Sequence, residues 1–466
     1  MALLSLNYDV LSAIVEQTDP SSALKLSMAS RGAYDLGIAQ ALASVTLSRS
    51  QRQVSAFCQF LLADPTRLPQ LRELTIESSA FGVARHIEFQ RTADFSAVAE
   101  LADVLRRARR LRRLSIACFE DFLAHEPRIG DAICALPELV EISLHNCGQL
   151  AMGVLSHLRG SLRKVQFTAL FNRKLPTFFH RLQSQDRIET LELAHLDLSD
   201  GSQPYGEVHE LPHMPSVRSL SLRGSTARMS LFVRAMPNLQ RLHLSDVYSR
   251  ALGTPGGRKR ECWVRLAYLK GNVPDLQQWD IACPVRWLQL GLTAYHYDTA
   301  IDIIRRTTPA ILSLPVETKV DATFWTRFVD VASGVRHLEL CLDEGKVHKL
   351  SWWLAHIPAL LRTLSLTSIF ICVRHTQRIG AEEDFKPIDV RVDRTYQTIR
   401  ERVAAAIPSL KYVAIAIATK CEDPFEEQQK APLWWQVTRV SGMTILDIVP
   451  YEKGATLRER LMNMPS

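Results

Sequence analysis

The chain has 466 residues, of which 47% are hydrophobic and 23% charged, with a formal net charge of +7. These proportions exclude a disordered chain, and no apolar run approaches the roughly 18 residues of a membrane-spanning helix. The charge is modest for the length, so it permits an acidic partner without implying nucleic acid.

Residues 1–40 differ in pattern from the rest of the chain. Asn7 is placed to cap a helix carrying Val10, Leu11, Ile14 and Val15, with Asp9 in its first turn. Asp19-Pro20-Ser21-Ser22 breaks that helix and starts a second, with Ala23, Leu24, Leu26 and Met28. Ser30-Arg31-Gly32 breaks again, before a third helix with Tyr34, Leu36 and Ile38. The start, Met1 to Leu6, has no basic n-region, and Asp9 comes soon after, so no signal peptide is expected.

From Leu42 onward one short pattern recurs: L-x-x-L-x-L with any large apolar residue. The clearest copy is Leu136-Pro137-Glu138-Leu139-Val140-Glu141-Ile142-Ser143-Leu144. Proline stops the preceding helix, and Ile142 and Leu144 then alternate with polar neighbours at the period of a half-buried strand. Copies begin at Leu42, Leu71, Leu111, Leu139, Leu162, Ile188, Val217, Leu239, Val285, Ile311, Val335, Leu361 and Leu410. The spacing averages about 28 residues. Another copy, at Leu266 and Leu269, fails at Gly271. Strands so short need neighbours alongside, and amphipathic segments between them supply an outer layer: Val54, Phe57, Phe60 and Leu61; Val98, Leu101, Val104 and Leu105; Leu150, Val154, Leu155 and Leu158; Phe324, Phe328 and Val331. Residues 77–96, 246–262 and 369–393 read as insertions, and residues 433–466 as a cover for the last repeat.

Alternation also says which side chains face away from the core on the strand side. They include Glu73, Arg113, Glu141, Lys164, Glu192, Arg241, His243, Trp287, Gln289, His337, Glu339 and Tyr412. Trp287 among Arg, His and Gln reads either as a binding hot spot or as a side chain folded under the insertion at 246–262. Arg106-Arg107-Ala108-Arg109-Arg110-Leu111-Arg112-Arg113 reads mainly as a helix end favouring positive charge, with Arg113 alone placed on the strand face.

Motifs of catalysis are not expected. His209-Glu210-Leu211-Pro212-His213 matches the H-E-x-x-H string, but that chemistry needs an unbroken helix and Pro212 interrupts it. There is no P-loop, no G-x-S-x-G and no glycine-rich dinucleotide turn. No catalytic residue, cofactor or metal is predicted. The nine cysteines are odd in number and scattered without C-x-x-C, and N-x-S/T is absent, which fits a reducing compartment, cytosol or nucleus.

The recurring strand motif resembles the leucine-rich repeat family over about 42–417. The Asn or Cys that the family carries three residues after the last strand leucine is present only as Cys147. The resemblance implies an α/β solenoid of parallel strands, an irregular horseshoe, over residues 41–420, then a cap at 421–466. The head, Leu6-Asn7-Tyr8-Asp9-Val10-Leu11-Ser12-Ala13-Ile14 with Asp19-Pro20 and Tyr34, resembles an F-box, with Asn7 where that family has proline. A head of this kind ahead of repeats, and the late pair Trp434-Trp435, looks most like the F-box proteins of mushroom-forming fungi. That resemblance implies a substrate receptor of a cullin–RING ubiquitin ligase. Leu6, Val10, Leu11, Ile14, Leu24 and Leu26 would bind the adaptor protein. Arg113, Lys164, Arg241, His243, Trp287, Gln289, His337 and Tyr412 would hold an unknown protein substrate, with no nucleic acid or membrane involved. The alternative is a repeat scaffold whose head only caps the array.

Overall fold

A computed structural model of the protein describes residues 7–83, 93–158, 161–170, 178–182, 186–198, 211–248, 262–292, 295–317, 320, 322–344, 347–375, 389–418 and 432–463. It is an α/β protein of mostly parallel strands, and the chain divides into two compact units, Met1–Asn238 and Leu239–Ser466.

The first unit opens with three helices, α1 (Tyr8–Glu16), α2 (Pro20–Ser27) and α3 (Arg31–Ala43). Their starts are the predicted ones. The side chains of Asn7, Asp19 and Ser30 accept from the backbone N–H of Asp9, Ser22 and Ala33. Leu11, Val15, Ala23 and Leu36 form the head's own small core. Gly37 is essential to it, since a Cβ there would stand 2.6 Å from the Ala23 carbonyl oxygen.

Seven strands come next: β1 (Ser44–Leu47), β2 (Glu73–Ile76), β3 (Arg113–Ile116), β4 (Glu141–Cys147), β5 (Lys164–Ala169), β6 (Thr190–Ala194) and β7 (Ser219–Arg223). Each pairs in parallel with the next in chain order. The register aligns Leu74, Leu114, Ile142, Val165, Leu191 and Leu220 in one dry row. Helices α4 (Gln51–Ala63), α5 (Val98–Arg107), α6 (Phe119–His125), α7 (Arg128–Cys134), α8 (Gln149–His157), α9 (Phe178–Arg181) and α10 (Met229–Ala235) come between or after them. The amphipathic segments lie as expected, with Val98, Leu101, Val104 and Leu105 fully buried. Leu150 is an exception, about half exposed in the first turn of α8.

The second unit holds β8 (Arg241–Ser245), β9 (Leu266–Asn272), β10 (Val285–Gly291), β11 (Ile311–Glu317), β12 (His337–Glu344), β13 (Ser368–His375) and β14 (Tyr412–Ala418), again parallel in chain order. Between them run α11 (Val273–Gln278), α12 (Tyr297–Thr307), α13 (Ala322–Val331), α14 (Val347–Leu361) and α15 (Asp389–Ala406). The last two strands, β15 (Leu433–Val440) and β16 (Met443–Val449), turn antiparallel, and α16 (Tyr451–Asn463) comes after them. The segment expected only to cover the last repeat therefore also adds two strands.

Two repeat positions and one insertion need correction. At β11 the buried row is Leu312, Leu314 and Val316, so the motif beginning at Ile311 is out of register and Ile311 itself pairs with His337. At Leu361 the motif is not a strand at all. Leu361 ends α14, Leu364 and Leu366 are buried in the connection, and the strand begins at Ser368. Apolar spacing alone cannot separate a helix end from a strand. Residues 369–375, read as the start of an insertion, are thus strand, with Ile369, Ile371 and Val373 inward. The failed copy at Gly271 is a strand too. A Cβ there would meet the Leu276 side chain of α11 at 2.9 Å, so glycine lets that leucine pack close to the strand.

The turns that leave five of the strands, β3, β4, β6, β7 and β8, carry a regularity one residue earlier than the Asn/Cys position. Cys118, Asn146, His195, Gly224 and Asp246 each stand two residues after the last inward strand residue, all with φ between 54° and 58°. Asn, Asp, His and Gly are the residues that tolerate this conformation best. The backbone groups so turned are met by side chains of a neighbouring repeat. The Glu120 carboxylate accepts from the N–H groups of Gly148, Leu150 and Ala151 at 2.7, 2.9 and 3.1 Å. The Ser225 hydroxyl accepts from Leu196 N–H at 3.1 Å. The Asp275 carboxylate accepts from Asp246 and Val247 N–H at 3.1 and 2.9 Å. Three unlike residues thus do what an asparagine ladder does in a regular array. Replacing Glu120 by Ala leaves three N–H donors at the start of α8 without their acceptor. It is expected to lower the free energy of unfolding by about 1–3 kcal/mol, measured by urea denaturation, with Glu120→Gln retaining part of the loss.

Candidate functional site

The strand faces opposite the helices differ between the units. In the first unit the face is a ladder of paired charges. Glu73 accepts from Ser44 Oγ at 3.1 Å and from Arg113 Nη1 at 3.0 Å, and Arg113 Nε reaches Glu141 at 3.1 Å. Lys164 meets Glu192 at 2.6 Å. Two residues further along the strands lie Thr46, Thr75, Ser115, Ser143 and Gln166, beside a His145 ring held between Ser143 and Thr168. Arg113 and Lys164 are therefore on the predicted face, yet both are already ion-paired. Half-exposed pairs of this kind contribute about 1 kcal/mol or less each, so the face is polar, open and cheap to rearrange.

The second unit carries a longer network. The Arg241 guanidinium lies over the Tyr268 ring, 4.8 Å from its centroid, and Trp287 packs edge-on against the same ring. The Tyr268 hydroxyl donates to Gln289 Oε1 at 2.8 Å. Trp287 Nε1 donates to Ser313 Oγ at 2.8 Å, and Ser313 donates to Glu339 Oε2 at 2.7 Å. His337 bonds Glu339 Oε1 through Nε2 at 3.3 Å and Ser368 Oγ through Nδ1 at 2.5 Å. Arg458 of α16 closes the row on Glu339 Oε1 at 3.1 Å. Parallel pairing makes this possible, because it sets Ser313, Glu339 and Phe370 side by side, and Ile311, His337 and Ser368 in the row next to them.

Here the sequence expectation needs correcting. Arg241, His243, Trp287 and Tyr412 keep some solvent contact, but Gln289 and His337 are buried at 6% and 2% exposure, and Glu339 is wholly buried. They form the floor of the face. Trp287, half-buried, joins the floor through Tyr268 and Ser313, while most of the insertion at 246–262 lies outside the described residues. Glu339 is covered by α16, whose Gly454, Leu457 and Arg458 lie on this face against Trp434, Phe370 and Glu339. Sequence reasoning missed Ser313, Ser368 and Arg458; Arg458 lies 119 residues from Glu339, beyond any local pattern.

Ser368, His337 and Glu339 lie in the order of a hydrolytic triad, but here the hydroxyl is fully buried and Arg458 engages the carboxylate. No group of three His, Cys, Asp or Glu able to hold a metal occurs among the described residues. His209 and Glu210 of the H-E-x-x-H string lie outside the described residues, as does Leu6. No helix among the described residues is long and apolar enough to cross a membrane.

The head's predicted contacts divide in two. Val10, Ile14 and Leu24 are 47%, 38% and 48% exposed, and Met28, one turn beyond Leu24, more so. Leu11 is buried in the head's core and Leu26 packs against it. Leu11 cannot meet a partner without opening the head, because on α1 the faces of Val10–Ile14 and Leu11–Val15 point apart, whereas Leu26 on α2 keeps part of its surface in solvent.

The chain matches no family model and none of the curated proteins compared with it.

Burial alone would raise the Glu339 carboxyl. The hydrogen bond from His337, the Arg458 charge, the His337 charge and the Ser313 hydroxyl outweigh it and bring the carboxyl down to about 2. A depressed carboxylate contributes stability that is complete above its unfolded value and is lost as pH falls toward the folded one. Thermal stability is therefore expected to drop between pH about 4.5 and about 2, and Glu339→Gln should flatten that part of the melting-temperature profile.

Proposed function

We propose that the chain is a non-enzymatic substrate-recognition subunit of an SCF-type ubiquitin ligase. In this reading the head is an F-box that docks on the adaptor protein, and the units beyond it are irregular leucine-rich repeats of a solenoid whose strand side holds a protein substrate. One observation carries it: a three-helix head keeps a core of its own while leaving Val10 and Ile14 on α1, Leu24 on α2 and Met28 just after it in solvent. A head that served only to cap a hydrophobic end has no use for them. Val10, Ile14 and Leu24, already about half covered, would each contribute about 1 kcal/mol on complete burial, and the more exposed Met28 somewhat more. The first unit's strand face supports the second half of the reading, since its weak charge pairs exchange readily for pairs with a partner.

The test is co-purification. The full chain, expressed in a host that makes the adaptor, should carry it, and Val10→Asp with Leu24→Asp should abolish that association without changing the far-ultraviolet circular dichroism. Leu11→Asp should lose the adaptor only by unfolding the head. Recovery of the chain free of adaptor from such a host would overturn the reading and leave a repeat scaffold in its place. Charge reversal at Arg113, with Lys164 reversed as well, should weaken a partner held on the first unit's face about tenfold or more in a pull-down, and leave adaptor binding unchanged.

A further inference from the structure

We propose that α16 is a displaceable occupant of the second unit's strand face, and that this face is a docking site for a partner's helix carrying a small residue, an aliphatic residue three positions on and an arginine directly after. This inference is independent of any ubiquitin-ligase role.

Three observations converge. The face beneath α16 is apolar and shallow: Cys341, Phe370, Cys372, Ala414, Ala416 and Trp434 form one buried cluster. Its cysteines and alanines are small, so a helix backbone can come close to the sheet. Next to this cluster the face holds the Glu339 carboxylate, wholly buried among His337, Ser313 and Arg458. A buried carboxylate demands a cation, and guanidinium is the group that also satisfies its directional lone pairs. Shape and charge together specify an amphipathic helix with an arginine.

The second observation is how α16 meets this demand. A Cβ on Gly454 would stand 2.5 Å from Trp434 Cδ1, so the helix lies on the indole through a residue without a side chain. Leu457 packs on the cluster, and Arg458 reaches Glu339 Oε1 at 3.1 Å with its guanidinium 5.7 Å from the Phe370 ring centroid. Positions i, i+3 and i+4 share one helix face.

The third is how little else holds it. Of residues 451–460 only Gly454 is buried, and Leu457 and Arg458 are half-buried. By contrast α5 buries Val98, Leu101, Ala102, Val104 and Leu105. Over residues 451–460 the helix is attached by one close contact, one leucine and one ion pair, which makes it an easy competitor to displace, and its departure would uncover an apolar patch with a buried charge.

The probe is a fluorescein-labelled peptide of this chain's residues 450–463, added to the full chain. Wild-type protein should not bind it, because its own α16 holds the face. Gly454→Leu forces α16 off Trp434 without altering a strand residue. Arg458→Ala removes the anchor and leaves Glu339 to be met in trans. Both variants should bind the peptide, by fluorescence anisotropy, and faster amide exchange in 451–463 of each should show α16 released. A peptide with its own arginine replaced, R458A, should bind about tenfold or more weakly. The proposal fails if wild-type chain binds the peptide as well as the variants do, or if the released variants do not bind it. It fails equally if displacing α16 in both variants unfolds the second unit, since the helix is then part of its core.

Discussion

Each strand in this protein is short, and one row of its side chains has to be dry. That single demand sets everything else. A shift of one residue would turn the inward leucines to the strand face and the charged row into the core, so register is enforced strand by strand. Leu74, Leu114, Ile142, Val165, Leu191 and Leu220 fall into line for this reason. The outward row is set without further cost. Glu73, Arg113 and Glu141 meet because their inward neighbours do.

The turns then have to release each strand toward its helix, and here the protein is consistent in backbone and inconsistent in chemistry. The left-handed residue recurs two positions after the last inward side chain, as Cys118, Asn146, His195, Gly224 and Asp246. The acceptors that serve these turns are a glutamate, a serine and an aspartate from neighbouring repeats. Burial pushes the Asp275 carboxyl up while the N–H groups of Val247 and Asp246 pull it back, the balance expected of a buried acceptor. A ladder of identical asparagines is one solution to a general problem, and a set of unlike side chains at equivalent places is another.

The same sheet architecture presents two different faces. The first unit's is lined with hydroxyls and half-exposed ion pairs, suited to exchanging one polar partner for another. The second unit's is aromatic and small-residue in character, joined through Ser313, Glu339 and His337 into one network, with α16 lying over Glu339, Phe370 and Trp434. Trp434 and Trp435 show how strictly the faces are separated. They are adjacent and both buried, Trp434 against the α16 side and Trp435 under the Arg400 guanidinium of α15. Alternation in a strand needs two unrelated burial sites to hide such a pair.

What the sequence alone determined was local. Helix caps at Asn7, Asp19 and Ser30, strands where apolar and polar residues alternate after a proline, and amphipathic helices between them are all set by interactions a few residues apart. Leu361 was misjudged because a spaced set of apolar residues fits a helix end as well as a strand, and the register at Ile311 because Leu312, Leu314 and Val316 are all apolar, so the motif also matches two residues out of step. Tertiary structure decided which outward residues remain outward. Leu11 differs from Val10 only by the side of α1 it occupies, and Glu339 became floor because a helix more than a hundred residues later supplies Arg458 to it. Burial is a property of what packs on top, and an alternating pattern records only which way a side chain points.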